Sequence, residues 1–303
     1  MASCNVSADE LPARRPAMSA RAWAVFAALA VIWGIPYFFI KIALQDLSPA
    51  CVAWSRVTLA AFVLLPLAWH RGALRGLRSR AGAICAFALT ELVGPFLLIA
   101  FGERFVSSSL TAILMATVPL VVVVLAPWFA PTERPGSRRL AGLGLGLVGV
   151  VALLGIDVAG RPLELLGAAL VLGGAVGYAV GPLLVQRYLA GFPPLGTVAA
   201  SLTVSAFVLA IPAALTAPSG LPSRVVVASI VVLGLGCTAL ALVLYLFLVA
   251  EAGASRATVI TYLNPVVAML LGVSVLRERV SVVSVGGLLL VLLGSWLATG
   301  GDA

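Results

Sequence analysis

The sequence predicts an all-α integral membrane protein: ten transmembrane helices arranged as two inverted five-helix repeats. Three observations carry that prediction. The chain of 303 residues is 62% hydrophobic and only 10% charged, whereas a soluble domain averages roughly 45–50% apolar and about 25% charged residues. Too few polar side chains exist to cover a water-facing surface. The apolar residues also gather in runs of about twenty, the length that crosses a bilayer core as a helix. Finally, the second half of the chain repeats the punctuation of the first.

Each element follows from the hydropathy pattern. Residues 1–21, rich in Ala, Ser, Pro and Arg, read as a flexible cytoplasmic arm. The run 22–44 is too long for a signal-peptide core and has no clear cleavage site, so it stays as the first span. It contains WGIPYFFIKIAL (33–44), which holds Lys41, the only lysine in the chain. The run 50–69 carries Arg56 about two turns in, and HRGALRGLRSR (70–80) separates it from the third run, 82–101. The fourth, 107–130, is closed by PTERPGSRR (131–139), and 140–156 completes the first half. The second half runs 164–186, 195–216, 225–249, 256–276 and 281–299. In lipid the backbone must satisfy its own hydrogen bonds, which runs of this length do as helices. The alternating ten-residue segments of a membrane barrel are absent.

The net charge of +8 does not point to nucleic acid, because the arginines sit between apolar runs and form no basic face. With the N-terminus inside, cytoplasmic segments of the first half hold Arg14, Arg15, Arg21, Arg71, Arg75, Arg78, Arg80, Arg134, Arg138 and Arg139. Only Lys41 and Arg104 fall outside in that half. This asymmetry puts both termini in the cytoplasm. The second half shows no such bias: Arg187 and Arg256 fall inside, and Arg161, Arg224, Arg277 and Arg279 outside. Cys4, Cys51, Cys85 and Cys237 are far apart with no CxxC, so neither a disulfide framework nor a zinc site is indicated.

The internal repeat has an offset of 145. AFVL at 61–64 recurs at 206–209, Pro49 meets Pro194, Trp33 meets Tyr178, Gly142 meets Gly287, Gly149 meets Gly294 and Glu133 meets Glu278. Pro119 meets Pro265 at 146. Five spans per half is odd, so the second repeat (157–303) enters the membrane opposite to the first (22–156). That is the plan of secondary transporters, which bind substrate between halves near the midplane.

Several residues within spans are candidates for chemistry. Trp33, Tyr37 and Lys41 share one helical stripe, and Pro36 within it invites a bend. The offset sends the stripe to Tyr178, Pro182 and Gln186. Two such stripes facing each other would line one cavity; packing aromatics and a Lys41 that snorkels to the headgroups are the alternative. Glu91 lies near the middle of the third span, where an acid costs roughly 2.5–3.5 kcal/mol on insertion scales. Three roles are open to it: proton carrier, ligand for a substrate amine, or structural partner of Arg56. In the ninth run Thr258, Tyr262 and Pro265 follow helical spacing, with Asn264 beside the proline. Pro119 and Pro265 mark bends whose freed carbonyls bind polar ligands. Tyr245 is a weaker candidate for the same cavity.

One literal match is declined. GLGLVG (144–149) fits GxGxxG but follows no strand, so Gly142 and Gly146 read as a close-packing face, as do Gly173, Gly177 and Gly181. No H-E-x-x-H, Walker A or nucleophile-elbow pattern occurs, so no enzyme, metal or cofactor is indicated. An intramembrane enzyme would need clustered Asp, Glu or His; the chain has a single histidine, His70, in a basic loop. A receptor or assembly subunit without transport is the other alternative.

The ordered set Trp33-Gly34, Lys41, Pro49, Arg56, Ala60-Ala61, Asn264-Pro265, Gly272, Glu278-Arg279, Gly287 and Gly294 resembles the drug/metabolite transporter superfamily, EamA type. The resemblance spans about residues 22 to 300. The first repeat departs from the usual glycine-glutamate-arginine turn, reading Thr132-Glu133-Arg134; the second reads Arg277-Glu278-Arg279. Those turns read as structural. The resemblance implies export or exchange of small organic metabolites, amino acids among them, across a prokaryotic inner membrane. Coupling to protons or to the solute's own gradient follows from that reading. The partners expected are therefore a small-molecule solute, the lipid bilayer and protons.

Overall fold

The computed structural model describes residues 19–129, 136–154, 160–252 and 260–299. The arm residues 1–18, the Thr132-Glu133-Arg134 turn, the boundary between repeats, Arg256, Thr258 and the tail from 300 lie outside the described residues. Every regular element among those described is helical: α1 (Ala20–Gly34), α2 (Pro36–Ala43), α3 (Pro49–His70), α4 (Ala81–Phe87), α5 (Gly94–Gly102), α6 (Ser108–Met115), α7 (Val118–Phe129), α8 (Ser137–Ala152), α9 (Pro162–Leu184), α10 (Pro194–Leu215), α11 (Arg224–Val231), α12 (Ala241–Ala252), α13 (Ile260–Ser274) and α14 (Val282–Ala298).

Local sequence starts these helices. Ser19, Ser48, Ser107, Ser223 and Ser281 each sit at an N-cap and accept a hydrogen bond from the N–H three residues on, as in Ser48 from Cys51 (3.2 Å) and Ser281 from Ser284 (2.9 Å). Pro36, Pro49, Pro162 and Pro194 occupy first turns, where the missing N–H costs nothing.

Among the described residues, seven helical stretches are long and apolar enough to cross a membrane: Ala20–Ala43, Pro49–His70, Leu77–Gly102, Ser108–Trp128, Pro162–Leu189, Pro194–Leu215 and Arg224–Glu251. Ile260–Ser274 and Val282–Ala298 are apolar but shorter, and α8 has 16 residues. These three match the fifth, ninth and tenth runs of the sequence. All three adjoin segments outside the described residues.

Several long stretches are interrupted. The first changes direction at Ile35, between α1 and α2. The third passes through a π-helical stretch, Ala88–Val93, and the eighth through another, Val232–Leu240. Ala116 and Thr117 separate α6 from α7, just before Pro119. A π-helical turn, Val185–Leu189, ends the sixth, shortly after Pro182. Pro36 opens α2, Pro119 stands in the first turn of α7, and Pro265 lies inside α13.

Helices of the first half meet helices of the second. The principal pairs are α8 with α14, α3 with α10, α5 with α9 and α1 with α13. Small residues permit the tightest of these. A Cβ on Gly294 would overlap the backbone of Gly142 and Gly146, so α8 and α14 touch main chain to main chain. The declined GxGxxG run is this packing face. Large apolar side chains point outward, with Phe62 81% and Phe207 76% exposed, the reverse of a soluble protein and the arrangement lipid would cover.

The turn after α13 is structural, as its sequence suggests. Glu278 lays its carboxylate across the start of α6, accepting from Ser108 N (2.8 Å) and Oγ (2.9 Å) and from Ser109 N (3.0 Å) and Oγ (2.6 Å). Burial opposes its ionisation, but these four hydrogen bonds outweigh that and hold the carboxyl below its ordinary range. Arg277 adopts φ 55° to make the turn.

Candidate functional site

The break at Ile35 divides the stripe expected in the first span. Pro36 lacks an N–H and opens α2, so Trp33 ends one helix and Tyr37 begins the next, with Ile35 N–H to Val31 O (3.1 Å) and Phe39 N–H to Ile35 O (3.3 Å) spanning the junction. Trp33, at the end of α1, packs against Tyr245 of α12 with ring centroids 5.1 Å apart. Tyr37, on α2, borders the core around Ile40, Val52, Leu114, Val171 and Leu233, and Tyr178 of α9 borders the same core. Of the second stripe only Tyr178 is half-buried; Pro182 and Gln186 are exposed.

Arg56 connects these groups. It is 8% exposed on α3, and its Nε–H donates to Thr238 Oγ1 (2.8 Å) in the π-helical stretch 232–240. Its guanidinium carbon lies 4.0 Å from the centre of the Phe96 ring, and Phe96 meets Tyr178 edge to face at 6.4 Å. Tyr37 and Tyr178 are within electrostatic reach of Arg56 and of each other. A guanidinium has five N–H donors. Only one is used within the protein among the described residues, which leaves a forked donor set for an anion.

Glu91 supplies a carboxyl group. It sits in the π-helical stretch 88–93, pressed so closely on α9 that a Cβ at Gly181 would overlap Oε2. Oε2 is buried with no hydrogen-bond partner. The structural pairing with Arg56 is not formed, since no ion pair joins the two among the described residues. Tyr178 lies within electrostatic reach of both groups, and Tyr245 of Glu91.

Asn264 also has a buried, unpartnered oxygen, Oδ1, and its backbone carbonyl faces Gly34 beside Trp33. Tyr262 stands apart: its hydroxyl is 3.0 Å from Thr299 Oγ1 at an exposed end. The Lys41 ammonium turns inward, donating to the carbonyls of Glu103 and of Val106 (2.8 Å). The α5–α6 connection brings these carbonyls under α2, where a charged donor bonds them. Phe96, Thr238 and Glu103 were not singled out by the sequence, because a phenylalanine, a threonine and a loop acid carry no signal until packing buries them together.

A cavity of about 780 Å³ lies elsewhere, between α3, α10 and α11, lined by Trp54, Thr58, Ala210, Ala214, Val227 and Val231 among others; none of the predicted site residues borders it. Among the described residues no group of three His, Cys, Asp or Glu gathers as a metal site.

Comparison with known proteins adds the family context. The model of the EamA-like transporter family matches residues 21–155 and again 165–300. The chain is 30% identical to an uncharacterized inner membrane transporter, YedA, of Escherichia coli K12, over 89% of this chain and 90% of that protein. It is 27% identical to an uncharacterized transporter of Archaeoglobus fulgidus, over 91% and 97% respectively. A crystal structure of a protein superposes with a TM-score of 0.65 at 22% identity, covering 92% of this chain and 96% of the other; that likeness concerns the fold alone.

Proposed function

The chain belongs to the EamA-like transporter family, and from that premise we propose that it is a secondary transporter exporting or exchanging small organic metabolites across the inner membrane. Amino acids and related compounds are the substrate class the site favours. The observation that carries this reading is a buried arginine, Arg56, and a buried, unpartnered oxygen of Glu91 that do not pair, with Tyr178 within electrostatic reach of both. Free donors on Arg56 suit a carboxylate. The unpartnered oxygen of Glu91 suits an amine, or a proton as coupling ion. Tyr37, Tyr178 and the Trp33–Tyr245 pair offer apolar surface to the rest of the solute. Substrate binding at Trp33, Tyr37, Glu91, Tyr178, Tyr245 and Asn264 is part of this proposal, and Tyr262 is its most distant member.

Alternating access by rocking of ten helices in two inverted halves completes the proposal. Breaks near Pro36, Pro119 and Pro182 supply elements that can reorient without melting whole helices. The test is counterflow in proteoliposomes preloaded with each of a panel of amino acids. Glu91→Gln is expected to lose most counterflow while still purifying as folded protein. Full activity in that variant, with an unchanged pH dependence, would remove Glu91 from the site.

A further inference from the structure

Glu103 is a carboxylate that the candidate site does not use. It lies one residue beyond the span Leu77–Gly102, and its backbone N–H closes onto Ile99 O (2.9 Å). Its side chain is nonetheless fully buried, 0% exposed, and neither carboxylate oxygen has a hydrogen-bond partner. Close helix contact is what buries it. A Cβ on Gly102 or Gly167 would strike the facing backbone, so the end of α5 and the start of α9 shut over the turn.

The groups facing Glu103 come from every element around it. From α2 there are Lys41 and Tyr37, from α3 Arg56, and from the turn before α14 Glu278. Arg104, next in the chain, is exposed. Lys41 is the obvious counter-ion, yet its ammonium is engaged by the backbone carbonyls of Glu103 and Val106 and not by the carboxylate. Glu278 is anionic, held so by Ser108 and Ser109. An ionised carboxylate buried without hydrogen bonds is penalised by several kcal/mol and neutralises instead. Burial pushes the Glu103 carboxyl well up; Lys41 and Arg56 oppose this and Glu278 reinforces it.

We propose that Glu103 is a proton-binding site, occupied in this conformation and emptied when the Lys41 ammonium swings from the Glu103 and Val106 carbonyls to the Glu103 carboxylate. In that step the carboxyl O–H bond breaks and the proton passes to water. Lys41 stays cationic throughout and becomes the counter-ion. The moving part is α2, an eight-residue helix that Pro36 opens after the bend at Ile35. Proton occupancy and the position of α2 are thereby linked, and α2 also carries Tyr37 of the solute site. The proton site stands on its own geometry. Its coupling to a solute rests on the transporter reading above.

Infrared difference spectroscopy of the purified full chain in lipid nanodiscs, stepped in pH with buffer alone, tests the first part. The expected result is a carboxylic-acid C=O band that persists at neutral pH and is lost on alkalinisation. Glu103→Gln removes that band, while Glu91→Gln and Glu278→Gln leave it. Gln is nearly isosteric with the protonated acid, so Glu103→Gln is expected to fold, with thermal stability at neutral pH no lower than the parent. A second variant, Lys41→Gln, is expected to shift the loss of the band to higher pH by one unit or more. A spectrum unchanged by Glu103→Gln, or a titration unmoved by Lys41→Gln, overturns the proposal. Proteoliposome counterflow separates this outcome from the wider reading. Counterflow with an unchanged band leaves the transporter and sinks the proton site; the band without counterflow of any solute does the reverse.

Discussion

A guanidinium placed among apolar helices must have its charge met by hydrogen bonds, rings or an opposite charge, and Arg56 uses the first two. Thr238 takes its Nε–H and Phe96 covers its face. Thr238 in turn donates to Leu233 O (2.8 Å), so it anchors Arg56 to the π-helical stretch. Thr238→Val keeps the volume and deletes both bonds. We expect it to destabilise the protein by about 1 kcal/mol or more, read by unfolding in mixed micelles, and to reduce counterflow by more than the stability loss explains. Equal stability in parent and variant would mean that water or substrate replaces the threonine. At this scale the sequence marked Arg56 and Glu91 as costly residues within spans, because charge in lipid is legible one residue at a time. It did not mark their separation. Whether two buried charges pair depends on which faces of α3 and the third stretch meet, and that is a property of packing.

At the scale of elements, punctuation was the readable part. Serine caps, first-turn prolines and the prolines near breaks all stand in the sequence at the places where helices start or change direction. The π-helical stretches were not readable, since ALTELV and VLGLGCTAL contain no proline. Neither was the reach of Glu278 across to α6. Glu278→Ala is expected to expose the first N–H groups of α6 and cost about 1–2 kcal/mol. The sign with pH is definite. Its folded carboxyl is held below the ordinary value, so the stabilisation is present above about pH 4 and fades as pH falls through the depressed value. Thermal unfolding of parent and variant should therefore converge on acidification. A gap that stays constant with pH would assign the effect to packing.

For the whole molecule, the offset of 145 has a structural counterpart. It carries residues 88–93 onto 233–238, inside the second long π-helical stretch. It relates α3 to α10 and α8 to α14, and each of these pairs is in contact. Orientation rests on the arginine bias of the first half alone. We expect a green fluorescent protein fused after Ala303 to fluoresce and an alkaline phosphatase fused there to be inactive; the opposite pair of results would reverse the topology.

Composition and run length by themselves determined that this chain lives in lipid as helices, because a backbone without water has few solutions and each is written in local hydropathy. The same local signals placed most helix ends. The gathering of Tyr37 and Tyr178 on one core, the meeting of Trp33 with Tyr245 and of Arg56 with Phe96 and Thr238, and the bonding of Lys41 to the Glu103 carbonyl were decided only by tertiary structure. In lipid every span is apolar on nearly all sides, so hydrophobicity no longer says which face looks inward. Close contact between small residues and the satisfaction of a few buried polar groups choose that face instead.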